Sequence, residues 1–241
     1  MILENVNKAD LVNVCQVNKV CCSCSQDILY RNISVHSPQV CGTLAQSTHL
    51  ARRVHSFFVM AFYFNPEIIG KALRNMSSLR SLVLHSSNQF SYILDGCTFK
   101  LDSFTSNFSY DESLRKFLNS QPSLTHIEFL AYEHEIPELE FEATCLPNLI
   151  RVSAPFSWLP LLIPGRPVSE VKVTVPPQFT EDLSFFTLST VPVQKLAIVY
   201  SLLYPKPGHL LALNFPSLVH LTIRMEMGDT VRLSFFIFPD H

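Results

Sequence analysis

Glycine is scarce in this chain, with six residues in 241. None of them forms a Gly-rich phosphate loop or a Gly-x-Ser-x-Gly nucleophile elbow, so no P-loop nucleotide chemistry and no α/β-hydrolase chemistry is expected. Charge is also thin: charged residues make up 16% of the chain and the net charge is −2. A surface for nucleic acid or an anionic membrane needs clustered Lys and Arg, and neither partner is expected. The hydrophobic content is high, at 47%, yet no apolar run reaches the roughly 18 residues of a membrane span. The longest candidates, Phe156 to Ile163 and Leu196 to Leu203, are interrupted by Ser, Pro or Tyr and read as core. Met1-Ile2-Leu3-Glu4-Asn5 offers no basic start, long apolar stretch or small-residue cleavage site. No secretory signal is expected, which assigns the chain to the cytoplasm or nucleus. There the seven cysteines remain thiols and the sequons at Asn32, Asn75 and Asn107 stay unused.

Catalytic and metal-binding arrangements are missing as well. His134-Glu135 lacks a second His at helical spacing and is followed by Pro137, which breaks a helix. Cys21-Cys22-Ser23-Cys24 could supply soft ligands, but no second Cys or His pair of suitable spacing follows to complete four, and these cysteines read as a buried helix face. Glu133, Glu135, Glu138, Glu140 and Glu142 read as a solvated acidic loop. No catalytic residue, metal, cofactor or small-molecule substrate is assigned, and the chain is read as a non-enzymatic binding protein.

What the chain does contain is a repeat. An apolar residue, a second three positions later and a third two positions after that recur eight times. They are Val54-Phe57-Val59, Leu79-Leu82-Leu84, Leu101-Phe104-Ser106, Leu124-Ile127-Phe129, Leu149-Val152-Ala154, Val168-Val171-Val173, Val193-Leu196-Ile198 and Leu218-Leu221-Ile223. Successive starts differ by 25, 22, 23, 25, 19, 25 and 25 residues, in or beside the range of about 20–29 of leucine-rich repeats. Turns introduce several units: Met76-Ser77-Ser78, Gln121-Pro122-Ser123, Leu146-Pro147-Asn148 and Phe215-Pro216-Ser217. Helix patterns lie between some strands. Pro66–Asn75 carries Ile68, Ile69, Ala72 and Leu73; Asp111 caps 112–118, burying Leu114, Phe117 and Leu118; Thr180 caps 181–188, with Leu183, Phe186 and Thr187 inward. Units this short cannot close a core alone and must stack. The Asn that satisfies turn backbone groups in regular leucine-rich repeats has no consistent place, and Asn88 falls one position late. The fold class expected is α/β, a leucine-rich-repeat-like solenoid over residues 36–241 behind a small α-helical module over 1–35. Val231 to Phe238 reads as a last strand.

In that module Asp10 is a plausible cap for a helix over 11–21 with a stripe of Leu11, Val14, Val17 and Cys21, and a second helix runs over 23–29. Tyr30, Ile33 and Val35 then begin the strand region. Ile2-Leu3-Glu4-Asn5-Val6, Ala9-Asp10-Leu11, Val14 and Val17-Asn18-Lys19 present an apolar pair, an Asp-Leu helix start and a Val trailed by a basic residue. With Asp27-Ile28-Leu29-Tyr30-Arg31-Asn32-Ile33, they resemble the later part of an F-box and its hand-off to irregular repeats in the large F-box families of mushroom-forming fungi. The family's opening Leu-Pro stretch is missing, so the module is read as a partial, N-terminally truncated F-box.

The resemblance implies a substrate-receptor subunit of a Skp–cullin–F-box ubiquitin ligase, with a Skp-type adaptor bound by Ile2, Leu3, Val6, Leu11, Val14 and Val17. The other reading is a repeat-based protein-interaction module with no ubiquitin role, in which these helices only cap the solenoid. Either way the protein partner falls to the strand residues that alternate outward. One outward row reads Phe58, Val83, Thr105, Glu128, Ser153, Lys172, Ala197, Thr222, and a flanking row Ser56, Ser81, Ser103, His126, Arg151, Glu170, Lys195, His220. Phe58 and Val83 are the expected apolar anchor, and His126, Glu128, Arg151, Glu170, Lys172 and Lys195 the expected polar contacts.

Overall fold

A computed structural model describes residues 6–60, 65–85, 91–130, 145–175, 183–201, 215, 217–226 and 231–236. Ile2, Leu3, Asn88, His134, the Glu133 to Glu142 cluster, and the cap and first turn expected at Thr180 lie outside them. The fold is mixed α/β. The chain divides into two compact units, Met1–Leu101 and Asp102–His241. Residue 35, the expected end of the module, lies inside the first unit, at the last residue of its first strand.

The first unit begins with α1 (Lys8–Val14) and α2 (Lys19–Arg31), then β1 (Asn32–Val35), α3 (Pro38–Gln46), α4 (Thr48–Ala51), β2 (Ser56–Met60), α5 (Pro66–Asn75), β3 (Ser81–His85) and a 3-10 turn at Ser91–Leu94. The first helix starts earlier than expected. Asn7, not Asp10, caps α1, its side chain accepting from the Asp10 N–H, and Asn18 caps a separate α2 by accepting from the Cys21 N–H at 2.8 Å. Two Asn caps fix two starts, and one continuous helix across them is excluded. β1, β2 and β3 are parallel, with Ile33, Phe57 and Leu82 in one row and Val35, Val59 and Leu84 in the next. α5 runs over the expected residues, with Asn65 capping and Pro66 in its first turn. Its inward face differs by one residue: Ile68 is 39% exposed while Gly70 is buried. At Gly70 a Cβ would stand 3.2 Å from the backbone oxygen of Ile93, tighter than an ordinary contact, so the absence of a side chain eases this approach.

The second unit holds β4 (Ser103–Ser106), α6 (Glu112–Asn119), β5 (His126–Phe129), β6 (Arg151–Pro155), a 3-10 turn at Phe156–Trp158, α7 (Leu159–Leu162), β7 (Glu170–Val175), a 3-10 turn at Ser184–Leu188, β8 (Lys195–Ser201), β9 (His220–Glu226) and β10 (Val231–Phe236). These strands lie side by side in sequence order. β4 to β9 are parallel and β10 returns antiparallel to β9. Asp111 caps α6 as expected, accepting from the Leu114 N–H at 2.8 Å. The helix expected at 181–188 is a 3-10 turn in its described part, with Phe185 buried and Thr187 exposed.

The second and third residues of all eight triplets lie on strands β2 to β9, and the first lies two positions before each strand. Their second residues align, giving Phe57 with Leu82 in the first unit and Phe104, Ile127, Val152, Val171, Leu196 and Leu221 in the second. The first residue of every triplet is at most 6% exposed. Each such burial of a Leu, Ile, Val or Phe contributes about 1.5–3 kcal/mol before the cost of ordering. Aromatic rings continue the core of the second unit: Phe104 meets Phe117 of α6 at 5.4 Å between centroids, Phe129 meets Trp158 at 4.3 Å, and Phe186 meets Phe215 at 4.6 Å.

A backbone device resets the chain at each strand. In five triplets the first residue donates its N–H three residues back, Val54 to Ala51 at 3.1 Å and Leu79 to Met76, Leu124 to Gln121, Leu149 to Leu146 and Leu218 to Phe215 at 3.2 Å, while Val168 donates two residues back to Arg166. One carbonyl then accepts from two successive N–H groups of the next unit. The Asp102 oxygen takes Thr125 and His126, Thr125 takes Ile150 and Arg151, Ile150 takes Ser169 and Glu170, Ser169 takes Gln194 and Lys195, and Gln194 takes Val219 and His220. His55 does the same for Arg80 and Ser81 in the first unit. Because the forked carbonyl recurs at the same place, residues 126, 151, 170, 195 and 220 begin their strands level with one another. Two asparagines supply turn bonds the sequence pattern did not reveal: Asn75 Nδ2 donates to the Leu44 and Ala45 oxygens at 3.1 Å, and Asn148 Nδ2 to the Pro122 oxygen at 2.9 Å.

Candidate functional site

Residues between the buried positions of a strand point to the opposite face. In the second unit this creates two largely polar rows, all of whose members but Thr222 line one groove of about 400 Å³. The central row runs Thr105, Glu128, Ser153, Lys172, Ala197, Thr222, and the flanking row Ser103, His126, Arg151, Glu170, Lys195, His220. Of the expected contacts, His126, Glu128, Arg151, Glu170, Lys172 and Lys195 are all brought to this groove. Phe58 and Val83 are register partners in the first unit, both half-buried, with the Phe58 ring 5.9 Å from the His85 ring.

The central row balances its charge. Glu128 Oε1 accepts from Lys172 Nζ at 2.9 Å, across the intervening strand, and from the Ser153 hydroxyl at 3.0 Å. In the flanking row one carboxylate serves two cations. Arg151 Nε lies 2.7 Å from Glu170 Oε2, and Lys195 Nζ 2.8 Å from Oε1. Burial raises the Glu170 carboxyl, but the Lys195 hydrogen bond and the charges of Arg151, Lys195 and His126 outweigh it and hold the group below its ordinary value. Both cations keep more than half their side-chain surface, 53% for Arg151 and 56% for Lys195. His126 sits below its ordinary value, through burial first and then the Arg151 charge, against the opposing pull of Glu170 and Asp102. Its Nδ1 is 2.6 Å from the Thr125 hydroxyl. At the other end His220 Nε2 is 2.9 Å from the Thr222 hydroxyl. Ser153 and His220 were readable as members of the alternating rows, yet their contribution to the groove follows only from the register.

The N-terminal helices distribute the expected adaptor residues unevenly. Leu11 is 1% exposed, Val6 and Val14 are half-buried, and Val17 is 70% exposed. Val12 and Val20, not singled out by the helical stripe, are exposed at 51% and 72%. Arg53 ties α2 to the turn before β2, pairing with Asp27 and donating to the Ser23 oxygen at 3.1 Å.

No disulfide joins any of the seven cysteines. Cys21, Cys22 and Cys24 are half-buried rather than fully buried, because α2 turns only Ser25 completely inward. Burial pushes the Cys41 thiol up to about 11 and Cys97 to about 12, so both are poor nucleophiles. Among the described residues no group of three or more His, Cys, Asp or Glu could hold a metal ion, and no helix is long and apolar enough to cross a membrane. No protein-family model matches the chain, and no curated protein matches it in sequence.

Proposed function

We propose that this chain is a protein-binding receptor: a leucine-rich-repeat-like solenoid whose outward strand face holds a protein partner, serving as the substrate-receptor subunit of a Skp–cullin–F-box ubiquitin ligase. The observation that carries the receptor half is the pair of level polar rows over β4 to β9, spaced by one strand each and presented on backbone held in register by the forked carbonyls. A rigid face with charged groups at fixed spacing orients a partner with little loss of freedom on binding. The ubiquitin half rests on the F-box resemblance of the first thirty-five residues. In such a complex the receptor contributes positioning, bringing a substrate near transferred ubiquitin, and the bond chemistry belongs to other subunits.

The surface available to an adaptor is Val12, Val17 and Val20 rather than Leu11, which the chain's own core consumes. Co-purification from a host expressing a Skp-type adaptor tests this. The expected result is capture by the natural chain and its loss in a Val17→Asp, Val20→Asp double variant with an unchanged melting curve. Absence of capture by the natural chain overturns the ubiquitin role. The burial of Leu11 favours a second reading, in which α1 and α2 only cap the solenoid. Under that reading the double variant changes nothing measurable, while Leu11→Asp lowers stability in both.

A further inference from the structure

From the charge arithmetic of the flanking row we infer that the groove takes an extended acidic segment of its protein partner, with carboxylates seated on Arg151 and Lys195. The inference deepens the receptor reading above and rests on it. The central row is closed: Glu128, Lys172 and Ser153 satisfy one another. The flanking row is not. Two fixed cations share the one carboxylate of Glu170, which leaves an excess positive charge held 2.7 and 2.8 Å from that carboxylate on either side. Arg151 spends Nε on Glu170, and a guanidinium carries five N–H donors, so the four on its two Nη atoms are not spent on that contact, and the side chain is 53% exposed. Lys195 spends one of three. Glu170 thus holds both side chains in place without neutralising them, which lowers the ordering cost of receiving an anion.

Next to Ser103, which begins the row, the charged stretch is flanked by imidazoles, His126 on one side and His220 on the other, each hydrogen-bonded to a threonine hydroxyl. Four inter-strand steps of about 4.8 Å separate them, a span of about 19 Å, which matches roughly six residues of extended chain. A segment of that length lying across the strands meets a cation at two of five stations, Arg151 and Lys195, and an imidazole at the two outer ones. The two cations and one carboxylate are too few for nucleic-acid binding, which needs many phosphate contacts.

The test is fluorescence anisotropy of labelled hexaglutamate with the full chain at low ionic strength, beside labelled hexalysine and a six-nucleotide single-stranded DNA. Hexaglutamate is expected to bind and the other two to bind at least tenfold more weakly. An Arg151→Glu, Lys195→Glu double variant should lose roughly tenfold or more in affinity with its melting curve intact, since both side chains are over half exposed. Glu170→Gln should tighten binding by roughly threefold to tenfold, because it removes the internal competitor for the same cations; a merely structural role would give no gain. Hexaglutamate binding that ignores the double variant, tighter binding of DNA or hexalysine, or weaker binding by Glu170→Gln each overturns the inference. Adaptor capture without hexaglutamate binding sinks this inference alone, and hexaglutamate binding without adaptor capture sinks only the ubiquitin role.

Discussion

Ser106 offers a sharp check on the stacking of the strands. It is the one polar residue among the third positions of the eight triplets, where the others carry Val59, Leu84, Phe129, Ala154, Val173, Ile198 and Ile223. The register places it opposite Phe129, it is 0% exposed, and its hydroxyl has no hydrogen-bond partner. Its backbone is satisfied, since its carbonyl accepts from the Leu130 N–H at 2.8 Å. A buried hydroxyl left without a partner costs about 1–3 kcal/mol. Ser106→Ala removes that cost and adds no volume, so it should stabilise the second unit by about 1 kcal/mol. With a urea m-value of about 1–3 kcal/mol/M the midpoint rises by about 0.3–1 M at constant slope. The melting temperature rises by about 2–5 °C for a unit of this size. Ser106→Thr, which keeps the hydroxyl, should show no such gain. A midpoint that stays put or falls in the alanine variant would refute the reasoning, because it would mean that the hydroxyl is satisfied or that the third positions of the second unit do not line a dry core.

Three further outcomes follow from single groups. Asp111→Ala removes the cap that accepts from the Leu114 N–H and should cost about 1 kcal/mol in urea unfolding, without changing hexaglutamate binding. Arg166 is 3% exposed, and its guanidinium donates to the oxygens of Cys145, Leu161 and Pro164 at 2.8, 2.8 and 3.0 Å; Arg166→Met leaves these carbonyls without that donor and should cost about 3 kcal/mol in the same assay. His126 sits below its ordinary value of 6.5 in the folded chain, so the unfolded chain binds more protons. Its contribution to stability is complete above that ordinary value and is lost as pH falls from it toward the folded value. His126→Gln should therefore flatten the decline in melting temperature on the acid side of neutrality, and an unchanged decline would count against the burial assigned to this ring.

How much of this was readable beforehand differs by physical cause. The triplets were, since an apolar residue at the first, fourth and sixth place of a unit is visible wherever it recurs, and the burial of Val54, Leu79 and Leu149 at 0, 1 and 0% follows the pattern. α5 and α6 were also readable, because Pro66 and Asp111 mark their starts. α3 is hard to read from sequence although Pro38, Cys41, Leu44 and Ala45 carry its signal, because Cys and Ala are only weakly apolar. The break between α1 and α2 was hidden because the apolar stripe continues through it while two asparagine side chains compete for the backbone. Tyr30, Ile33 and Val35 match the triplet spacing one unit before the first one counted, yet α2 extends through Tyr30, so only the last two lie in β1.

The pairing within the groove shows where such reading stops. Arg151, Glu170 and Lys195 were each placed on the outward face by alternation alone, but alternation says nothing about which neighbour a side chain takes. Arg151 precedes Glu170 by 19 positions and Lys195 follows it by 25. An interval that varied by six residues would shift any rigid template out of step. They meet because each unit re-registers on one forked carbonyl, Ile150 for Glu170 and Ser169 for Lys195, so that insertions between strands are absorbed before the row begins. Loop length therefore carries no information about the row, and the row's charge depends only on the residue that follows the forked donor pair's first member. A substitution at one of these positions changes the chemistry of the face without touching the core, while a change in the intervening loops leaves the face as it was. That separation lets the residues of the face vary while the strands keep their register.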